Sequence, residues 1–419
     1  MSTSENTLEQ RPPSDEATML LEPSNTRNAV LSILLVVFIS MNLRPLLTSV
    51  APVLQDIQRD LSISNFWISI LMTVPVICLG IFGPFASVLS RRLGLEGVIV
   101  AALAFAFMGA TLRSFGIVPL YLGTVMIGAS MSLLGILTPV LIKRDFPQKV
   151  GPMMGLFAMI LGFGAAVSTA SAVPIKEAFG GSWRIGLSVW IMPVVVAAVI
   201  AIAMLRSGIN HGRTHAAKKY TIMHDPISWQ LTAFFALIAS SAYAAISWGP
   251  SMLAARGLDA QTCGFIMSVF FLAQMPSGLI VPMIAGKMRD QRLITSAMVI
   301  LASLGMIAFL FAPTWSLLGV AVIVGIGQGG GFAVALTLIV LRSADQQVAA
   351  KLSSVVQSIG YVVGGLVGPF AVGLLHDFSG NWSVVAIFYT VVGVLSLAFG
   401  YGASRNHKVQ KRCKADIHL

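Results

Sequence analysis

The sequence predicts an all-α integral membrane protein, with twelve transmembrane helices in two six-helix halves related by pseudo-symmetry. Three observations carry that prediction. Charged residues make up only 10% of the chain and hydrophobic ones 56%, with a mean hydropathy of +0.85, whereas a soluble domain carries about 25% charged residues. The apolar residues fall into runs of the roughly 20 residues that a helix needs to cross a bilayer. The second half of the chain also repeats landmarks of the first at a nearly constant spacing.

Taken in order, residues 1–28 form a polar tail, with Glu5, Glu9, Asp15, Glu16 and Glu22 set against Arg11 and Arg27. The basic stretch, short apolar core and cleavage site of a signal peptide are missing, so the segment reads as a disordered cytoplasmic tail. The predicted spans follow at about 29–54, 65–89, 95–114, 117–141, 152–174, 184–205, 227–250, 261–285, 293–312, 315–341, 350–375 and 383–404. None of these runs shows the alternation over about ten residues that marks a barrel strand. The spans group into an N-terminal half, 29–205, and a C-terminal half, 227–404. Between them the longest polar connection, 206–226, reads as a cytoplasmic hinge. Its His211, His215 and His224 lack metal-ligand spacing and read as solvated. Residues 405–419 form a basic tail. Cys78, Cys263 and Cys413 lie in two different spans and that tail, which implies neither a disulfide framework nor a metal site.

The net charge of +11 does not point to nucleic acid, because the basic residues gather in the loops of one side. With both termini cytoplasmic, 21 Lys and Arg fall in inner segments and five in outer ones, namely Arg59, Arg113, Lys176, Arg184 and Arg256. Such a bias is the signature of a multi-pass protein of the cytoplasmic membrane. The remaining cation is Arg44.

The repeat appears on adding 198 to a first-half position. Pro52 meets Pro250, Pro84 meets Pro282, Arg91 meets Arg289, Arg144 meets Arg342, Gly162 meets Gly360 and Phe163 meets Tyr361. A one-residue slip then aligns Phe179–Trp183 with Phe378–Trp382.

Arg44 is the one charge near the middle of any predicted span. A guanidinium at the bilayer centre costs roughly 2.5–3.5 kcal/mol on insertion scales, so it is expected to face a cavity and to act there. On a continuous helix Ser40 and Thr48, at i−4 and i+4, share its face. The alternative for these hydroxyls is a bond to their own i−4 carbonyls, and for Arg44 a role pinning one neighbouring carbonyl. Five guanidinium donors exceed what one backbone oxygen can accept, which favours a functional Arg44. Pro45 removes a donor and frees the Met41 carbonyl, which predicts a kink beside Arg44. At the repeat offset Arg44 meets Ala242, beside Tyr243. Tyr243 lies deeper than an interfacial anchor, so the second half is expected to offer an aromatic wall, while Trp248 near the span end reads either way. Gln274, Gln328 and Gln357 also lie well inside apolar runs, with Tyr361 one helical turn beyond Gln357. Each is a candidate ligand contact or, equally, interhelical glue. The GIGQGGG run around Gln328 has no preceding strand and no following Lys-Ser/Thr, so it is not a phosphate loop.

None of the sixteen Asp and Glu residues, and none of the six His, falls at a span centre. An intramembrane carboxylate or His relay, the common proton carrier of transporters, is therefore not expected. The chain carries no embedded acid–base pair, nucleophile arrangement or metal set, so neither an enzyme nor a cofactor is predicted.

Several stretches resemble the major facilitator superfamily over residues 28–404 and, within it, the bacterial porters of cyanate and nitroimidazole. They are NLRPLLTSVAP at Asn42–Pro52, TPVLIKRDFP at Thr138–Pro147, SWGPSMLAARG at Ser247–Gly257, QSIGYVVGGLVGP at Gln357–Pro369 and GLLHDFSGNW at Gly373–Trp382. The superfamily's loop after the second span usually reads G-x-L-x-D-R-x-G. Here, in Ser87–Gly94, Leu89, Arg92 and Gly94 match, Ser87 replaces the glycine and Arg91 the acid. The departure removes the charge contact by which that loop latches one conformation in relatives, and leaves Arg91 and Arg92, or Arg289 and Asp290 in the second half, as gating-loop candidates. The resemblance implies a secondary transporter, monomeric, with its substrate held between halves that rock in alternating access. With Arg44 in the site, the expected substrate is a small anion or compact polar solute such as a cyanate-like or nitroimidazole-like compound. The competing expectation is a broad-specificity efflux transporter on the same fold.

Overall fold

The computed structural model describes residues 23–206, 224–344 and 346–409. Most of the predicted terminal tails and hinge, with His211, His215 and Cys413, lies outside the described residues. Twelve helices are long and apolar enough to cross a membrane. In the first half they are Ala29–Leu61, Asn65–Phe82, Val88–Leu112, Ile117–Asp145, Val150–Ala178 and Trp183–Arg206. In the second they are Pro226–Ala254, Ala260–Lys287, Arg292–Phe311, Thr314–Leu341, Lys351–Ser379 and Trp382–Ala403. We refer to them by ordinal number. Arg91, Lys143, Lys287 and Arg342 mark what we call the basic end of the bundle; Lys176 and Arg256 mark the far end.

Two boundaries depart from the sequence expectation. The first span runs on to Leu61 because Asp56, Gln58 and Arg59, polar enough to look like a loop, extend it as a short helix Leu54–Leu61. The stretch 90–94, expected as a loop, is helical, since Phe85–Leu112 is two helices meeting at Gly94. At φ 75° and ψ 167° that junction is a conformation open to glycine and strained for any residue with a Cβ.

Burial of apolar side chains divides the bundle into three cores. Leu35, Ile39, Val98, Ile142 and Val194 belong to one confined to the first half. Phe234, Val299, Leu338 and Val356 belong to one confined to the second. The third draws on both halves, with Val53, Ile68, Leu120 and Trp183 packed together with Trp248, Phe270, Phe309 and Tyr389. Its members lie toward the far end of their spans and those of the second-half core toward the basic end, while the first-half core runs along the third and sixth spans from Val98 to Ala110 and from Trp190 to Met204. The halves are thus welded by a common core toward the far end and keep separate apolar cores elsewhere. The second and eleventh spans also meet closely at Gly80, where an added Cβ would collide with the Ser358 carbonyl oxygen.

Close backbone approach makes the weld possible. A Cβ added at Gly264 of the eighth span would stand 2.8 Å from the Thr169 carbonyl oxygen of the fifth. Beside it Ser268 Oγ donates to the Ala166 carbonyl at 3.1 Å. On the other flank Asn65 Nδ2 donates to Asp377 Oδ1 at 2.9 Å, and the Phe66 and Phe370 rings meet edge to face at 6.0 Å. Trp248 is structural: it is buried and donates from Nε1 to the Pro369 carbonyl at 2.8 Å.

Candidate functional site

The site begins with a broken helix. Pro45 has no N–H to donate to the Met41 carbonyl, and it disfavours helical geometry at the residue before it. The regular helix accordingly ends at Leu43, although Arg44 stays in the helical region with φ widened to −106° at ψ −40°. A single turn, Pro45–Thr48, and a 3₁₀ turn, Ala51–Val53, follow before helix resumes at Leu54. Arg44 therefore sits at an interruption inside a span, where the freed backbone groups must be satisfied by neighbouring protein.

Neighbouring spans hold the break in place. Arg113, counted from sequence among the outer-loop cations, is instead buried at the end of the third span. Its Nη1 donates to the Leu46 carbonyl at 2.6 Å and its Nε to Thr124 Oγ1 at 3.2 Å. Val50 N–H bonds to Leu47, not Leu46, so the guanidinium takes a carbonyl that the helix has released. From the fifth span Ser168 Oγ meets Thr48 Oγ1 at 2.6 Å, and Gly164 lets Pro45 approach so closely that an added Cβ would lie 3.2 Å from the ring.

The expected polar stripe does not form. Ser40 Oγ donates to the Val36 carbonyl at 2.5 Å, and Thr48 Oγ1 donates to the Arg44 carbonyl at 3.0 Å. Both hydroxyls are buried and bonded to their own i−4 carbonyls, the alternative that the sequence left open, and so are not turned to the guanidinium. The guanidinium turns to the other half. Arg44 Nη1 donates to Gln274 Oε1 of the eighth span at 3.4 Å, near the limit for a hydrogen bond. Tyr243 of the seventh span and Tyr361 of the eleventh stand within electrostatic reach of the same guanidinium, their rings edge to face at 6.1 Å. Phe235 and Phe332 continue the wall, 5.1 and 6.4 Å from the Tyr361 ring. Among the described residues no carboxylate forms an ion pair with Arg44.

Arg44, Gln274, Tyr243 and Tyr361 thus converge, each half-buried. Tyr243 also packs against all three cores, which places the group at the fork where the two halves separate. The other two amides are elsewhere occupied. Gln328 is buried and donates to Ser241 Oγ at 2.7 Å, and Gln357 donates to Ser353 Oγ of its own helix at 2.6 Å. Gln328 serves the site indirectly, because the glycines around it bring the tenth span onto Gln274. A Cβ on Gly329 would lie 2.7 Å from the Gln274 carbonyl oxygen.

Of the gating candidates, Arg92 and Arg289 are exposed at the basic end and Arg91 is engaged there. Asp290 accepts from the Arg292 N–H at 2.9 Å and so caps the ninth span. Two arginines not expected as organising residues do more at that end. Arg144 bonds Glu96 and reaches Asp145 Oδ1 at 2.6 Å, and Ser32 Oγ closes onto Asp145 at 2.6 Å. Its repeat partner Arg342 bonds Gln291 and donates to the Ser404 and Ala403 carbonyls at 2.7 and 3.1 Å.

Sequence offered two signals for what was missed. Arg144 and Arg342 coincide at the repeat offset. A cation on the sparsely charged far side is itself unusual, and four of the five are spent on structural bonds: Arg113 as above, Lys176 with Asp56 at 2.9 Å, Arg184 with Asp60 at 2.8 Å, and Arg256 with the Phe309 carbonyl at 2.7 Å. Nothing in sequence marked Ser168. A separate cavity of about 460 Å³ opens at the far end among Gln55, Asn65, Lys176, Trp248, His376 and Trp382, away from Arg44.

Comparison with known proteins places this geometry. The chain is 30% identical over 392 residues to the 2-nitroimidazole transporter of Escherichia coli (strain K12), covering 92% of this chain and 98% of that one. It is 26% identical over 381 residues to the cyanate transport protein CynX of the same organism, covering 89% and 97%. The crystal structure of a D-xylose-proton symporter superposes with a TM-score of 0.72 at 12% identity, over 92% of this chain and 99% of that one. The family model described as Major Facilitator Superfamily matches residues 30–359 and 231–415, and the chain belongs to that superfamily.

Proposed function

We propose that this protein is a secondary transporter that moves a small anion, or a compact polar solute with an acceptor face, across the cytoplasmic membrane by alternating access. The observation that carries the reading is Arg44: a cation at a helix break between the halves, opposed by a neutral amide and two tyrosines. Cyanate, a linear monoanion, can accept charge-assisted guanidinium N–H bonds at a terminal oxygen or nitrogen, and a planar nitro group can accept the parallel pair. A nitroimidazole would place its nitro oxygens there and its ring against Tyr243 and Tyr361. The relatives named for cyanate and 2-nitroimidazole transport support this pair of chemistries.

The basic end is assigned to the cytoplasm on the distribution of Lys and Arg, with both termini on that side. The halves meet in the shared far-end core and where Gly80 of the second span lies against Ser358 of the eleventh, and rocking of one half against the other about these contacts would alternate access to the site. The test is initial uptake of labelled cyanate and 2-nitroimidazole by vesicles bearing wild type or Arg44→Ala. Loss of uptake in the variant supports the assignment. Unchanged uptake overturns it and favours broad-specificity export on the same fold.

A further inference from the structure

We propose that the protein is an obligate exchanger, which reorients rapidly only with an anion on Arg44, so that entry of one small monovalent anion is tied to exit of another. This rests on the reading of Arg44 as the anion site and adds the mode of coupling to it.

The charge inventory is the basis. Most carboxylates of the described bundle have fixed partners toward the ends of the spans, and Glu177 is exposed at the end of the fifth. Glu96 and Asp145 hold Arg144, Asp56 holds Lys176, Asp60 holds Arg184, and Asp225 and Asp259 cap the seventh and eighth spans. None is placed to meet Arg44 as the halves move. What faces the guanidinium is one amide oxygen at 3.4 Å and the two tyrosines. Arginine stays protonated throughout the cycle, and tyrosine ordinarily titrates near pH 10, so no group at the site takes up or releases a proton at neutral pH.

Alternating access passes through a state closed at both ends. Arg44 is then cut off from water, and its four remaining donors, for which no described residue is bonded as acceptor here, need acceptors and its charge needs compensation. A bound anion supplies both acceptors and compensating charge. Scaling from the cost of an intramembrane arginine, an empty site should cross roughly 100-fold more slowly than an occupied one. Exchange of one monoanion for another moves no net charge and no proton.

The experiment uses the full chain in proteoliposomes, with labelled cyanate outside at mildly alkaline pH. The lumen holds unlabelled cyanate, formate, or the impermeant anion gluconate alone. Uptake is expected to be roughly 100-fold faster into cyanate-filled than gluconate-filled vesicles, and indifferent to a valinomycin-imposed potential or a protonophore. Equal rates into both, or rates that follow the potential or the pH gradient, would overturn exchange. Gln274→Glu provides the counter-test, because it sets a carboxylate where the amide now meets Arg44. A resident counter-charge should weaken cyanate binding yet bring the filled-to-gluconate ratio toward one; a ratio unchanged while binding weakens would count against the proposal. Calorimetric cyanate binding to the solubilised protein separates the two levels. Binding that depends on Arg44 without preference for filled vesicles defeats exchange alone, whereas no binding by wild type defeats the anion site as well.

Discussion

Arg144 and Arg342 stand 198 residues apart at equivalent places in the two halves, and they are held in opposite ways. Arg144 lies among charges, with Glu96 and Asp145 about it and Ser32 completing the group. Arg342 is more deeply buried, and its hydrogen-bond acceptors are neutral: the Gln291 amide and two carbonyls at the end of the twelfth span. Each ties three spans together at the basic end of its own half, so the mechanical task is common and only the electrostatics differ. The same division recurs at the site. The first half contributes a cation on a broken helix; the second, where the offset places Ala242, contributes an amide and an aromatic wall. Duplication preserved packing and bracing, and the chemistry diverged where the halves face each other.

The largest expected effect comes from removing that asymmetry. Arg44→Ala should lower transport by about 100-fold or more, the scale of losing a charge-assisted contact to an anion in a dry site. Arg44→Lys keeps the charge but loses the planar fork, and should still fall by about tenfold or more. Initial rates in vesicles decide both, with surface expression measured in parallel. Next come the two braces. Substituting Met for either arginine should cost about 2–4 kcal/mol of stability in detergent, since buried partners lose their donors. The contrast lies in salt: the penalty at Arg144 should shrink at high ionic strength because its group is partly exposed, and that at Arg342 should not. Equal salt responses would show that the neutral and charged braces are not electrostatically distinct.

Gly329→Ala tests whether the tenth span positions Gln274. The new methyl would meet Ser277 Oγ at 2.6 Å and the Gln274 carbonyl at 2.7 Å. Relief requires the eighth span to shift, at a cost of about 1–3 kcal/mol. Apparent affinity for cyanate should weaken together with the melting temperature; an unchanged affinity would mean that Gln274 does not orient the guanidinium. The smallest effect concerns helix caps, where the halves differ again. Ser64 starts the second span without a side-chain cap, whereas Asp259 caps the eighth by accepting from Thr262 Oγ1 at 2.6 Å and Thr262 N at 2.9 Å. Those two bonds, the hydroxyl's first, hold the Asp259 carboxyl below its ordinary pKa. The lowered folded value means that the cap stabilises above the unfolded carboxylate pKa, about 3.9, and loses its contribution as pH falls through the folded one. Asp259→Ala should therefore lower the melting temperature slightly at neutral pH and not at all once wild type is protonated.

Sequence by itself determined the parts of this protein that depend on averages and periods. Twenty apolar residues in lipid must satisfy their own backbone bonds, so twelve helices follow from composition and length alone. The repeat at 198 residues paired Arg144 with Arg342 before either had a contact. A single charge in an apolar run identified Arg44, and the chemistry of Pro45 located the break beside it. Tertiary structure decided what those residues touch. Ser40 and Thr48 left the predicted stripe because their hydroxyls bond the Val36 and Arg44 carbonyls one turn back. Arg113, at the end of an apolar run, looked like a loop cation, and only the fold brings it to the Leu46 carbonyl that the broken helix releases. Gln274, Gln328 and Gln357 are equivalent in sequence, as polar amides in apolar runs. Separating them required knowing which helix faces concur at the fork between the halves, a property of side chains hundreds of residues apart that no local period encodes.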